Sequence, residues 1–210
     1  VFWEYTTPNV LVFSGALRPA LVDSSVSKKY IARYLLAWFV YQFGVLGHFF
    51  LSPSLDNFFI QPGNRISCNN FLETGFLTPA ERRIFMALLS ALLKGEPLSA
   101  TKIILAQHYQ RLPGQLALPA PWHLAHKKNS PVSRQLNCLL AGVKEGDILV
   151  PDSILAAADA LQALEKIITA LEKEVDFNDG LLSIIQAQLP AIFNLKKNAA
   201  LADVVKKAIS

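Results

Sequence analysis

The chain has 210 residues, of which 52% are hydrophobic and 17% charged, and its net charge is +4. Globular domains carry about 25% charged residues, so this composition excludes a disordered chain, and the modest charge argues against a nucleic-acid-binding tail. The charge is uneven: residues 1–150 carry +6 (14 Lys and Arg against 8 Asp and Glu) and residues 151–210 carry −2 (6 Lys against 8), which hints that the N-terminal part meets something acidic.

The length suits one domain or two small ones, with a substantial core either way. A low charged fraction points to apolar surface that meets a partner or a membrane, with an unusually generous core as the alternative. The first residue is Val1, read as the start of a processed product or an excised domain. Cys68 and Cys138 form no spaced framework; buried free thiols in a reducing, cytoplasmic setting are expected, in the cytoplasm or at the cytoplasmic face of a membrane.

In residues 1–22, Val1–Tyr5 and Val10–Phe13 are β-branched and aromatic runs split by Pro8 and Asn9. A small hairpin and an extended arm packed on helices fit them equally. Ser24 or Ser25 is placed to cap a helix. From Tyr30 to Leu51 only Arg33, Gln42 and His48 are strongly polar, and a bilayer span needs about 20 apolar residues. The internal charge, Gly44 and Gly47, and the lack of a second such segment favour a buried central helix instead, with membrane association through residues 30–51 as the alternative. Tyr30, Tyr34, Trp38 and Tyr41 are spaced 4, 4 and 3, which puts them on one helical face. That stripe is expected in the core; its sharper alternative is a partner interface, with Trp38 and Tyr41 as candidate contacts.

Ser52 to Leu77 reads as a polar connection holding Pro53, Pro62, Gly63, Asn69 and Asn70. Phe58, Phe59 and Ile60 pin it to the core, and a short helix is expected within 66–74. Thr78-Pro79-Ala80-Glu81 is a capping box with proline at the first helical position. Its helix runs through Ile84, Phe85, Leu88, Leu89 and Leu92 to a stop at Gly95. Ser99 is expected to start the next helix, which runs to Leu112 and ends at Pro113-Gly114. Residues 113–131 are a proline-punctuated linker with a basic tip, His123 to Lys128. A helix around Val132–Ala141, a turn at Lys144–Asp147 and a short strand at Ile148–Val150 follow.

After Pro151 the apolar residues Ile154, Ala157, Leu161, Leu164, Ile168, Leu171 and Val175 recur at 3, 4, 3, 4, 3, 4. This is an unbroken heptad seam, with Glu165, Lys166, Glu172 and Lys173 on the wet face. Asn178 or Asp179 is expected to cap a helix over Leu181–Phe193, and a last helix covers 198–209. The fold class is therefore all-α, a multi-helix bundle with room for a short β element near the N-terminus and a C-terminal helical hairpin. Residues 1–150 read as a helical core domain with an irregular arm, and 151–210 as a helical subdomain packed on it.

Chemistry is poorly marked. His123-x-x-His126 with Cys138 lacks the paired ligands a structural zinc needs, so no metal is expected. Cys138 lies mid-helix without a thiolate-stabilising neighbour, and no nucleophile elbow or phosphate loop occurs. No catalytic or cofactor-binding residue and no cofactor is expected. Two basic clusters remain, Arg82 with Arg83, facing away from Ile84 and Phe85, and His123, His126, Lys127, Lys128 with Arg134. Such charge runs are expected as solvated faces; because arginine binds carboxylates bidentately, the alternative is that they dock an acidic peptide or a lipid headgroup. The expected function is a non-enzymatic protein–protein interaction subunit, an adaptor, chaperone-like or scaffold component, with nucleic acid unlikely as partner. A membrane-associated subunit and a helical binder or enzyme using His48, His108 or His123 are the alternatives.

Overall fold

The computed structural model describes residues 26–61, 65–68, 73–108, 130–146 and 148–193. The arm 1–22, the cap candidates Ser24 and Ser25, the basic tip with His123, His126, Lys127 and Lys128, and the helix expected at 198–209 lie outside the described residues. What is described is mostly helical, as the periodicity predicts.

Helix α1 spans Lys28–Tyr41 and follows Ser27, whose side chain makes no capping bond. Its α-helical bonding then gives way to a single π-helical turn, Gln42–Leu46, stopped by Gly47 at φ 75°. The apolar run 30–51 is thus not one helix. Gly47 takes the left-handed conformation that glycine adopts without penalty, and the chain turns into a strand. No helix among the described residues is long and apolar enough to cross a membrane.

Two short antiparallel ribbons follow. Strand β1 (His48–Phe50) pairs with β4 (Thr74–Phe76) in the register His48 to Phe76 and Phe50 to Thr74. Bonds from Leu51 N to Glu73 O (3.0 Å) and from Leu77 N to Gly47 O (2.7 Å) extend this pairing at both ends. Strand β2 (Phe58–Gln61) pairs with β3 (Arg65–Cys68). The described residues of the range 66–74, where a helix is expected, include no helix: 66–68 and 74 are strand. Ile66 and its neighbours complete a ladder with Phe58–Gln61, and pairing overrides a weak local preference.

Helix α2 (Pro79–Leu93) carries the predicted capping box: Glu81 N donates to Thr78 Oγ1 at 3.3 Å, and Thr78 N donates to Glu81 Oε2 at 2.7 Å. Its end is marked by Gly95 at φ 73°. Helix α3 (Pro97–His108) begins two residues before the expected Ser99, because proline suits a first turn whose N–H groups have no partner anyway. Helix α4 (Val132–Glu145) runs past Ala141 and absorbs part of the expected turn. Residues 148–150 form no strand: they are a link to α5 in which Ile148 and Val150 are buried and Leu149 is 80% exposed.

Helix α5 (Asp152–Leu171) carries the seam, and Ile154, Ala157, Leu161, Leu164, Ile168 and Leu171 are all buried. Val175 lies beyond the helix end and is half-buried. Helix α6 (Phe177–Phe193) starts before Leu181 because Asp176, not Asn178 or Asp179, caps it: Asp176 Oδ1 accepts from Asp179 N at 3.0 Å. Asn178 instead joins two helices, accepting from Val132 N at 2.9 Å and donating to Ser130 O at 3.2 Å.

A single cluster of buried apolar side chains extends from Ile31 to Ile185. Within it α1 touches α5 and α6, α2 touches α3, α4 and α6, and α4 lies along α5. Strands β1 and β4 rest against α5. Glu165 does not stand on a wet face: it is half-buried and accepts a hydrogen bond from Ser133, which is buried. Cys68 and Cys138 are half-buried rather than buried, and burial pushes the Cys68 thiol up to about 11.

Candidate interaction surface

Helix α1 has two apolar faces, and only one meets the core. Ile31, Leu35, Leu36, Phe39 and Val40 are buried. Tyr30 is 38% exposed, and Tyr34, Trp38 and Tyr41 are half-buried. The stripe expected in the core therefore lies along its outer margin. Aliphatic side chains and Phe39 fill the space beneath α5 and α6, and the tyrosines and Trp38 are left at the edge.

Trp38 is fixed by rings on its inner side. Its centroid lies 5.4 Å from that of Phe50 in β1 and 5.6 Å from that of Phe58 in β2, the latter edge-to-face. Edge and tilted arrangements of this kind are favoured by the ring quadrupoles. Behind them Phe43 links Phe39, Phe49 and Phe85, with centroids 5.0 to 6.1 Å apart. The aromatic margin thus backs onto a cluster of buried rings.

The first turns of α1 are basic. Lys28, Lys29 and Arg33 are exposed, and no acidic residue stands in the first turn. Cations at a helix N-terminus oppose its dipole. Lys29 and Arg33 line a cleft of about 320 Å³ together with Glu174, Asp176 and Asp179 at the start of α6. Acids there favour the α6 dipole, so the two helix starts are electrostatically complementary.

At the far end of α1 a second apolar rim appears. Leu46 is 48% exposed and Phe76 is 50% exposed. The Phe76 ring lies tilted against that of the exposed His48, with centroids 4.7 Å apart. Arg82 serves this turn from inside: its guanidinium donates to the Val45 carbonyl, and it is half-buried. The two arginines expected to act together are therefore separated in role, since Arg83 is exposed and Arg82 ties α2 to the π-turn. A carbonyl near a helix end lacks an intrahelical donor, and an arginine reaching it supplies both the bond and a favourable charge.

Of the remaining predicted contacts, Arg134 is exposed on α4 and away from the ring cluster in sequence and element. His48 lies on the rim just described. Among the described residues no group of three His, Cys, Asp or Glu gathers in a way that could hold a metal ion. Sequence reasoning missed the rim at Phe76 and the inward role of Arg82. The paired Gly44 and Gly47 mark the place where the helix would fail, but not the strand that replaces it. No protein family matches the chain, and no curated protein or solved structure matches it either.

Proposed function

We propose that the protein is a non-enzymatic interaction subunit, an adaptor, chaperone-like or scaffold component of a larger assembly, that grips a protein partner through the outer aromatic margin of α1. One observation carries this reading: Tyr30 is exposed and Tyr34, Trp38 and Tyr41 are only half-buried, at the margin of a core that other side chains of the same helix fill. Tyrosine and tryptophan are enriched in the centres of protein interfaces, where they bury large area at low entropic cost. The exposed cations Lys28, Lys29, Arg33 and Arg83 lie on the same helix or on α2, and they favour an acidic partner segment by steering its approach. In this reading the helices act as a bundle, and α5 and α6 brace α1 from behind.

The test is co-purification from the native source with quantitative mass spectrometry, comparing wild type with Tyr30→Ser/Tyr41→Ser. These tyrosines make none of the Trp38 ring contacts, so the variant is expected to stay folded with a modestly lowered melting temperature and to lose its partner at least tenfold. Raising the salt concentration is expected to weaken the wild-type complex. A strictly monomeric wild type without a stable partner, or full partner retention in the folded variant, rejects the reading.

A further inference from the structure

Strand β4 spends one edge on β1 and keeps the other open. The bonds from Leu51 N to Glu73 O (3.0 Å) and from Leu77 N to Gly47 O (2.7 Å) fix which of its residues turn towards β1. They make Glu73, Gly75 and Leu77 the hydrogen-bonded positions, opposite Leu51, Phe49 and Gly47. Hydrogen-bonded and non-hydrogen-bonded pairs alternate along an antiparallel ladder, so Thr74 and Phe76 direct their N–H and C=O groups away from β1. Neither takes a backbone bond from any other described residue, and both are exposed.

We propose that this edge pairs with β4 of a second copy of the chain, giving a four-stranded antiparallel sheet across a two-fold axis at Gly75. An unpaired edge is a template for another strand. Three features of β4 select its own copy as that strand. The hydrogen bonding is self-complementary: with Gly75 opposite the partner's Gly75, Thr74 stands opposite the partner's Phe76 and Phe76 opposite the partner's Thr74. Both pairs then exchange both of their N–H groups.

The second feature is the bare position at the axis. Gly75 falls at a non-hydrogen-bonded pair, where opposed Cα atoms approach to about 4.5 Å and side chains crowd most. A Cβ on Gly75 would collide with the Phe49 ring of its own chain, so the position carries no side chain to obstruct the approach. The third feature is Phe76 itself. It is 50% exposed, and across the axis its diagonal neighbour is the partner's Phe76, at the roughly 7–8 Å that aromatic rings bridge. Pairing takes both rings out of water. Glu73 is the only charged residue from 73 to 77, and it faces the partner's Leu77, so no like charges stand opposed. An edge this short buries less than the roughly 1,200 Å² of a stable interface, so the dimer is weak and follows concentration.

The test is sedimentation equilibrium of the purified full chain from about 10 μM to about 1 mM. The mean mass is expected to rise from that of one chain, 23.1 kDa, towards that of two. Thr74→Pro removes an N–H that β1 does not use, and the open side of an edge strand accepts proline. Phe76→Lys sets like charges on the diagonal. Each is expected to weaken the dimer at least tenfold, whereas Leu98→Lys, at an exposed leucine in the first turn of α3, leaves it unchanged. A single-chain mass for the wild type at the highest concentration overturns the proposal, including where the edge instead captures an extended segment of another protein. A dimer that persists in both Thr74→Pro and Phe76→Lys overturns it too. Should Thr74→Pro unfold, equal dissociation constants for Phe76→Lys and Leu98→Lys have the same force. The β4 edge is separate from the α1 margin, so its failure leaves the docking reading standing.

Discussion

The Ser153 hydroxyl donates to the Glu81 carboxylate at 2.6 Å across 72 residues of chain, joining the first turn of α5 to the first turn of α2. Burial pulls the Glu81 pKa upward, but the hydrogen bonds from Ser153 and Thr78 outweigh it and hold the carboxyl below its usual value. A carboxyl with a depressed folded pKa adds stability that is present above its unfolded pKa, about 4.3, and is lost as pH falls through the folded value. Glu81→Gln is therefore expected to be less stable than wild type by about 1 kcal/mol at neutral pH, and to converge on it in strong acid. Urea midpoints of both chains across that range check this. A gap that is constant with pH contradicts the linkage.

Gly47 and Gly95 both have positive φ, 75° and 73°, yet they differ in surroundings. A Cβ on Gly47 would sit 2.5 Å from the Leu77 carbonyl oxygen and 3.1 Å from Arg82 Cδ, whereas one on Gly95 meets nothing within 4 Å. Gly95→Ala is expected to cost about 1 kcal/mol, the conformational term alone. Gly47→Ala adds a clash with backbone and is expected to cost about 3 kcal/mol or more. Equal denaturant midpoints for the two variants would show that the π-turn yields freely.

How much of this was legible follows from which interactions are local. The seam from Ile154 to Leu171 reads directly, because a 3, 4 spacing defines one face of a helix whatever lies against it. The Thr78–Glu81 box reads for the same reason: its partners are three residues apart. The end of α1 does not, since Gly47 turns into a strand whose partner, Phe76, is set by pairing far along the chain. Nor does the spacing of Tyr30, Tyr34, Trp38 and Tyr41 say which side of α1 looks outward when both sides are apolar. Arg82 reads as a solvent cation because its acceptor, Val45, is 37 residues away.

That distant bond makes Arg82 and Arg83 energetically unlike. Arg82→Ala removes a charged donor from a carbonyl at a half-buried helix end and is expected to cost about 1–2 kcal/mol. Arg83 is exposed, and Arg83→Ala is expected to stay within about 0.5 kcal/mol of wild type. Thermal melts of the two single variants decide it. Indistinguishable losses would mean that the Arg82 guanidinium does not hold Val45 in solution.

Asn178 holds the α4 and α6 starts together through both ends of its amide, accepting from Val132 N and donating to Ser130 O. Val132 is buried and its N–H stands in the first turn of α4, where no intrahelical acceptor exists. Asn178→Ala leaves that donor without its partner and is expected to cost about 1–3 kcal/mol. Asn178→Asp keeps the acceptor to Val132 N but places a carboxylate against the Ser130 carbonyl oxygen, so one bond survives and the other becomes a repulsion. Its expected loss is smaller than that of alanine and grows as the carboxyl ionises with rising pH. Denaturant midpoints of the three chains, taken on both sides of the carboxylate range, separate the two bonds. An alanine variant as stable as wild type would show that the amide contributes no net stability to this junction.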